Sequence, residues 1–171
     1  MTTGPGTSDE QPDPVLQLLE NLTREGTVIA AFQSTHEKFH RYHAELLRLV
    51  PPATFDERAH DELVRTLDEY AKLFDEHHHA EDSYFFPALR KAEPALIPIV
   101  GQLVEQHEQL AAQLAVVLEL ARGVQPGAAA QNHTVLLVEG LAELQRVVDE
   151  HLLFEEAATV PVLRTWKSWP V

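Results

Sequence analysis

A motif of histidine, glutamate and proline occurs twice in this chain at identical spacing. His77-x-x-x-Glu81-Asp82 leads to Pro87-x-Leu89, and His151-x-x-x-Glu155-Glu156 leads to Pro161-x-Leu163. Both copies read H-x3-E-[DE]-x4-P-x-L. A histidine and a glutamate four residues apart share one face of a helix, one turn removed. Two such helices facing each other would gather two imidazoles and two carboxylates around one point. Buried carboxylates and imidazoles are costly without a partner, and here the same costly set appears twice. Imidazole and carboxylate together suit iron, manganese and zinc. The repeat therefore predicts a metal site, one that holds two ions.

The chain has no cysteine, which excludes disulfides, thiolate zinc sites and iron–sulfur clusters. Any metal must be held by His, Asp, Glu, Tyr or backbone. The ten histidines among 171 residues are clustered rather than scattered, as a ligand set requires. The formal net charge is −14 and Lys and Arg form no block, so no nucleic-acid partner is expected. No apolar run approaches the ~20 residues of a membrane helix, and the first residues lack the basic and apolar regions of a secretory signal. These features predict a cytoplasmic protein with no membrane partner.

Helical periodicity dominates the chain. It predicts an all-α fold: an up-down-up-down four-helix bundle with a short extra N-terminal helix and a C-terminal tail. Residues 1–14 are rich in Gly, Pro, Thr, Asp and Glu and read as a disordered tail. Residues 15–165 carry the bundle, and the tail 166–171, with its two tryptophans, is expected to pack across the bundle end. The leading helix follows Pro14 through Leu22. The first bundle helix is expected from about Thr27 to Val50, stopped by Pro51-Pro52. The second starts near Thr54 or Asp56 and runs to about Lys91, with Pro87 kinking it or ending its regular part. Pro94 opens the third, which continues to about Arg122. A loop over 123–130 leads to the fourth, from about Asn132 to Pro161.

The first and third helices also match. His36-Glu37-x-Phe39 parallels His107-Glu108-x-Leu110. His36 and His107 lie 71 residues apart, and His77 and His151 lie 74 apart. The chain thus reads as two helix hairpins, each supplying His … His-x3-Glu. On the first helix, His36, His40 and His43 fall on one stripe. The match to His107 selects His36, because His40 aligns with Ala111. The candidate ligands are therefore His36, His77, Glu81, His107, His151 and Glu155. His78, His79, Asp82 and Glu156 follow ligands directly and turn about 100° away from them. They are expected to be supporting, surface or interface groups. Tyr70 lies two turns before His77 and is expected either in the core or at an open metal position, and Tyr84 carries the same ambiguity.

The series His36, His77-x3-Glu81, His107, His151-x3-Glu155 resembles the hemerythrin-like, or HHE cation-binding, proteins. The stretch His77-His78-x-x-Glu81-Asp82-x-x-x-Phe86-Pro87-Ala88-Leu89 is similar to the second-helix motif of the bacterial branch. The resemblance covers about residues 27–165. It implies two non-heme iron ions in the bundle core, bridged by carboxylates and by an oxo or hydroxo group. His36, His77, His107 and His151 would be terminal ligands, and Glu81 and Glu155 would bridge. Oxygen carriers of this family have a further His one turn after the third-helix His, where this chain has Ala111. The chain looks more like members with four His and two carboxylates, which argues against reversible oxygen carriage. His36-x3-His40 places an HxxxH pair on the first helix instead, so His40 is either a fifth nitrogen ligand or a hydrogen-bonding neighbour.

Such a centre would keep an open iron position for O2, peroxide or nitric oxide. Phe39, Phe74, Phe85, Phe86, Leu110, Leu152 and Phe154 would limit water around it. The expected function is a peroxide- or nitric-oxide-consuming redox protein of stress defence, peroxidase- or catalase-like, acting as a monomer or weak homodimer. The alternative is a non-enzymatic sensor, carrier or store for O2, nitric oxide or iron. No nucleophile elbow, phosphate loop or dinucleotide fingerprint stands out.

Overall fold

The computed structural model describes residues 13–24, 26–50, 56–124 and 131–170. Most of the expected N-terminal tail, Pro51-Pro52, Thr54 and most of the expected loop before the last helix lie outside the described residues. In chain order the elements are α1 (Pro14–Arg24), α2 (Val28–Leu49), α3 (Glu57–Ala80), a π turn (Glu81–Phe85), α4 (Phe86–Ala92), a 3-10 turn (Pro94–Leu96), α5 (Ile97–Gly123) and α6 (Gln131–Leu163). No strand occurs among the described residues, and no helix there is long and apolar enough to cross a membrane.

Short connections dictate the topology. The 22 residues of α2 rise about 33 Å at ~1.5 Å each. The link over residues 50–56 spans at most about 25 Å, so α3 must return beside α2. The link between α5 and α6 imposes the same on that pair. Around the bundle α2 packs on α3, α3 on α5, α5 on α6 and α6 on α2, with α1 laid against α2.

Local chemistry sets the boundaries. α1 closes at Gly26, whose φ of 71° is a left-handed conformation that glycine adopts without strain. Its N–H donates to the Thr23 carbonyl at 3.1 Å, and the Thr27 N–H donates to the Leu22 carbonyl at 2.8 Å. Asp56 caps α3, its carboxylate accepting the Ala59 N–H at 2.8 Å. Pro94 opens a 3-10 turn rather than the third bundle helix itself, which becomes α-helical at Ile97.

The two motif prolines behave differently. Pro87 has no N–H, and its ring would crowd the carbonyl four residues back. The chain accommodates it by widening the preceding turn: the Phe86 N–H donates to the Glu81 carbonyl, five residues back. The regular α-helix thus ends at Ala80, yet the axis runs on to Ala92. Pro161 sits inside α6, which stays α-helical to Leu163, past the expected end.

Buried apolar residues form two clusters. One gathers Phe39, Leu46, Leu63, Tyr70, Leu114, Leu141 and their neighbours. The other gathers Val28, Phe85, Phe86, Leu103, Leu163 and Trp169. Trp166 meets Phe85 at 6.3 Å and Trp169 at 5.3 Å between ring centroids, so the C-terminal segment packs against the second cluster.

Candidate metal centre

Between the two apolar clusters lies a buried polar layer. α2 contributes His36, α3 His77, the π turn Glu81, α5 His107, and α6 His151 and Glu155; all six are buried. His77 Nε2 stands 3.1 Å from Glu81 Oε1, and His107 Nε2 stands 3.4 Å from Glu81 Oε2. His36 Nε2 lies 3.5 Å from Glu155 Oε2. None of these inward atoms makes a hydrogen bond. The four Nε2 atoms and both oxygens of Glu81 and of Glu155 are all buried without one. A buried polar atom left unpartnered costs about 1–3 kcal/mol, so eight at one place mark a site made for something else to fill.

The donors fall into two overlapping sets. Atoms of His36, His77, Glu81 and Glu155 lie within 4.8 Å of one another, and so do atoms of His78, Glu81, His107 and His151. Only Glu81 belongs to both. Two sets sharing a carboxylate have the form of adjacent cation sites with a bridge.

Three of the outward nitrogens are held. His36 Nδ1 donates to Glu156 Oε1 at 2.7 Å, and His107 Nδ1 donates to Asp82 Oδ1 at 3.1 Å. His151 Nδ1 donates to the amide oxygen of Gln106 at 2.9 Å. A proton on Nδ1 leaves the Nε2 lone pair facing the layer, the tautomer a metal ligand needs. The acids cross between hairpins: Asp82 beside Glu81 supports His107, and Glu156 beside Glu155 supports His36. They are the [DE] of the repeated motif, which is the sequence signal for them.

Electrostatics agree with that use. Burial, then the charge of Glu155, pushes the Glu81 carboxyl well above the usual range. Burial also raises Glu155. Burial lowers His107 to about 4 and, with the neighbouring imidazoles His107 and His36, lowers His151 to about 3. Burial and the same neighbours hold His77 far below the ordinary value. His36 differs: burial pulls it down, but Glu155 and Glu156 outweigh this and raise it. Three imidazoles held neutral and two carboxyls that resist ionising without a counter-charge fit a cation, which would reverse the carboxyl shifts. Imidazoles with a shared carboxylate also match the borderline softness of iron.

Other candidates are placed elsewhere. His40 is about half exposed, and its Nδ1 lies 3.2 Å from Asp149 Oδ1. The four-then-three spacing spreads the first-helix stripe over an arc wide enough to turn this member outward, so His40 is not among the gathered donors. His43 is buried, but its Nε2 donates to the Leu141 carbonyl at 3.0 Å. Tyr70 is buried in the first cluster against Phe39 and His43, with no partner for its hydroxyl. Burial raises its phenol above the ordinary value. Tyr84 is only half-buried and bonds Asp13. Ala111 is exposed, and Leu110 fills the interior after His107.

His78 goes the other way. It is buried and stacked on His107, with ring centroids 3.8 Å apart and planes 14° from parallel. Two near-parallel imidazoles cannot both aim in-plane lone pairs at one ion, so His78 as placed lines the His107 set rather than completing it. Its burial was legible in one place: the repeat aligns His78 with Leu152, an apolar residue. Gln106 had no such signal, since Thr35 precedes His36 in the matching position.

Comparison with known families adds one match: residues 27–163 fit the hemerythrin HHE cation binding domain. Neither curated proteins nor solved structures returned a match.

Proposed function

This chain belongs to the hemerythrin HHE cation-binding family, and from that premise we propose that it holds two iron ions in the polar layer and acts there on a small oxidant or gas. His36 and His77 would hold one ion, and His107 and His151 the other. Glu81, common to both donor sets, would bridge them together with an oxo or hydroxo group, and Glu155 would serve the ion of His36 and His77. The observation that carries this reading is the convergence of eight buried, unpartnered donor atoms from these six residues. When bound, the iron pair supplies shared redox equivalents and an open position for a small ligand.

The protein's own part is to hold and to shield. Glu156, Asp82 and Gln106 fix the tautomers of His36, His107 and His151. Phe32 packs on His36 at 4.4 Å, Phe39 on His77 at 5.2 Å and Phe86 on His107 at 5.4 Å between centroids. These rings keep bulk water from the ligands and lower the local dielectric. Hydrogen peroxide and nitric oxide are the substrates we favour, in a stress-defence role. Peroxide can serve as both oxidant and reductant, giving water and O2 with no further electron donor.

Metal analysis after anaerobic reconstitution, followed by the optical spectrum with peroxide, nitric oxide and azide, tests the proposal. Two irons per chain, oxo-bridged ferric charge-transfer bands and turnover of peroxide are expected. Fewer than two irons would overturn the paired centre. Binding without turnover would move the function to a carrier, sensor or store.

A further inference from the structure

The donor atoms are sealed from solvent, but the wall around them is not equally thick. Between α5 and α6 lies a cavity of about 250 Å³ lined in part by His151 itself. Its other walls include Gln106, Gln109 and Gln113 from α5, and Val147 and Glu150 from α6. The volume lies below the ~300–1,000 Å³ of pockets that bury organic ligands. Only a few water-sized molecules fit.

The glutamines are not scattered. Gln102, Gln106, Gln109 and Gln113 follow one another at spacings of four, three and four along α5, which sets them on one stripe. Gln102, Gln106 and Gln109 also line an adjoining surface groove of about 500 Å³. Gln106 therefore stands where the two hollows meet, with its amide oxygen already on His151 Nδ1. An amide both donates and accepts hydrogen bonds without carrying charge. In a chain of net charge −14, a neutral stripe leading to a buried ligand is a distinct feature. The charge at its edge is negative: Glu150 shares the single cation of Arg146 with Glu143.

We infer that this α5–α6 groove is the port to the centre, and that it admits small, uncharged, hydrogen-bonding molecules, with hydrogen peroxide as the type, in preference to anions. The inference rests on the paired-iron reading above and specifies its substrate class. Peroxide can pass from amide to amide along the stripe. An anion meets the field of the acidic surface and of Glu150 and finds no cation in the groove walls. Nitric oxide and O2 gain nothing from amides and can cross the apolar clusters instead.

The test uses the iron-loaded chain in rapid mixing, following the charge-transfer band. Val147→Trp and, independently, Gln113→Trp should slow the reaction with peroxide severalfold while iron content and resting spectrum stay unchanged. Glu150→Gln should speed azide binding at low salt, with the gain shrinking as salt screens it, and should leave the peroxide rate alone. Wild-type peroxide rates in both Trp variants, or azide entry as fast as peroxide at every ionic strength, would overturn the port. Fewer than two irons in the wild-type chain would instead overturn the reading beneath it, so the two failures are distinct.

Discussion

The two copies of the H-x3-E motif carry the same residues at the same spacing, but their backbones treat the glutamate differently. At Glu81 the helix widens into a π turn; at Glu155 it stays α-helical through Pro161. Glu81 reaches both donor sets, whereas Glu155 joins only the set of His36 and His77. Composition explains the split. The first copy continues Asp82-Ser83-Tyr84-Phe85, all modest helix formers, while the second continues through Ala157-Ala158. With the same proline downstream, the weaker helix gives way. A duplicated motif thus supplies candidate ligands in pairs, and local helix strength decides how far each one reaches.

Several substitutions press on that difference. The largest effect is expected at the glutamates. Glu81→Gln should lose both irons and Glu155→Gln only one, measured as iron per chain after anaerobic reconstitution. Equal losses would break the asymmetry and restore a symmetric bridge.

The counterpart histidines His36 and His107 should respond to acid with opposite sign in the metal-free protein. His107 sits at about 4 when folded, against ~6.5 when unfolded. Between those values only the unfolded chain takes the proton, so stability present above the unfolded value is lost as pH falls. The loss is about 3 kcal/mol. His36 is raised, so its contribution is fully present below the unfolded value and is lost as pH rises through the folded one. Urea unfolding from pH 7 to 4 should show a flatter acid loss in His107→Gln and a steeper one in His36→Gln. Parallel profiles would count against the opposed environments.

The crossed acids come next. Asp82→Asn and Glu156→Gln should each weaken iron binding about 10–100-fold, with Glu156→Gln the more severe because its hydrogen bond is shorter, 2.7 against 3.1 Å. The reverse order in a competitive chelator titration would show that bond length is not the deciding factor. The smallest effect is expected from His78→Leu, which makes the first copy match Leu152 of the second. Iron content should hold, and stability should change by no more than about 1 kcal/mol. Loss of one iron would instead make His78 a ligand.

The bundle and the convergence of all six expected ligand residues were legible because periodicity and repetition are properties of spacing, and spacing is what a helix converts into geometry. The π turn was not legible, since it arises from a change of hydrogen-bond partner that leaves no gap in the residue pattern. His40 shared the stripe of His36, yet a stripe is an arc, and its edge faces solvent. His78 required the repeat to be used a second time, for burial rather than for ligands. Gln106 breaks the repeat altogether and came from the structure alone.

The crossing of Asp82 to His107 and of Glu156 to His36 has a consequence for assembly. Each hairpin carries the acid that braces a histidine of the other, although Gln106 also braces His151 within the second hairpin. A half-chain could fold its helices and still present one unaligned histidine, so docking of the halves and completion of the candidate metal site would be a single event. Metal uptake would then act as a check on correct assembly: with its hairpins apart, or docked in the wrong register, the chain brings only part of the donor set together.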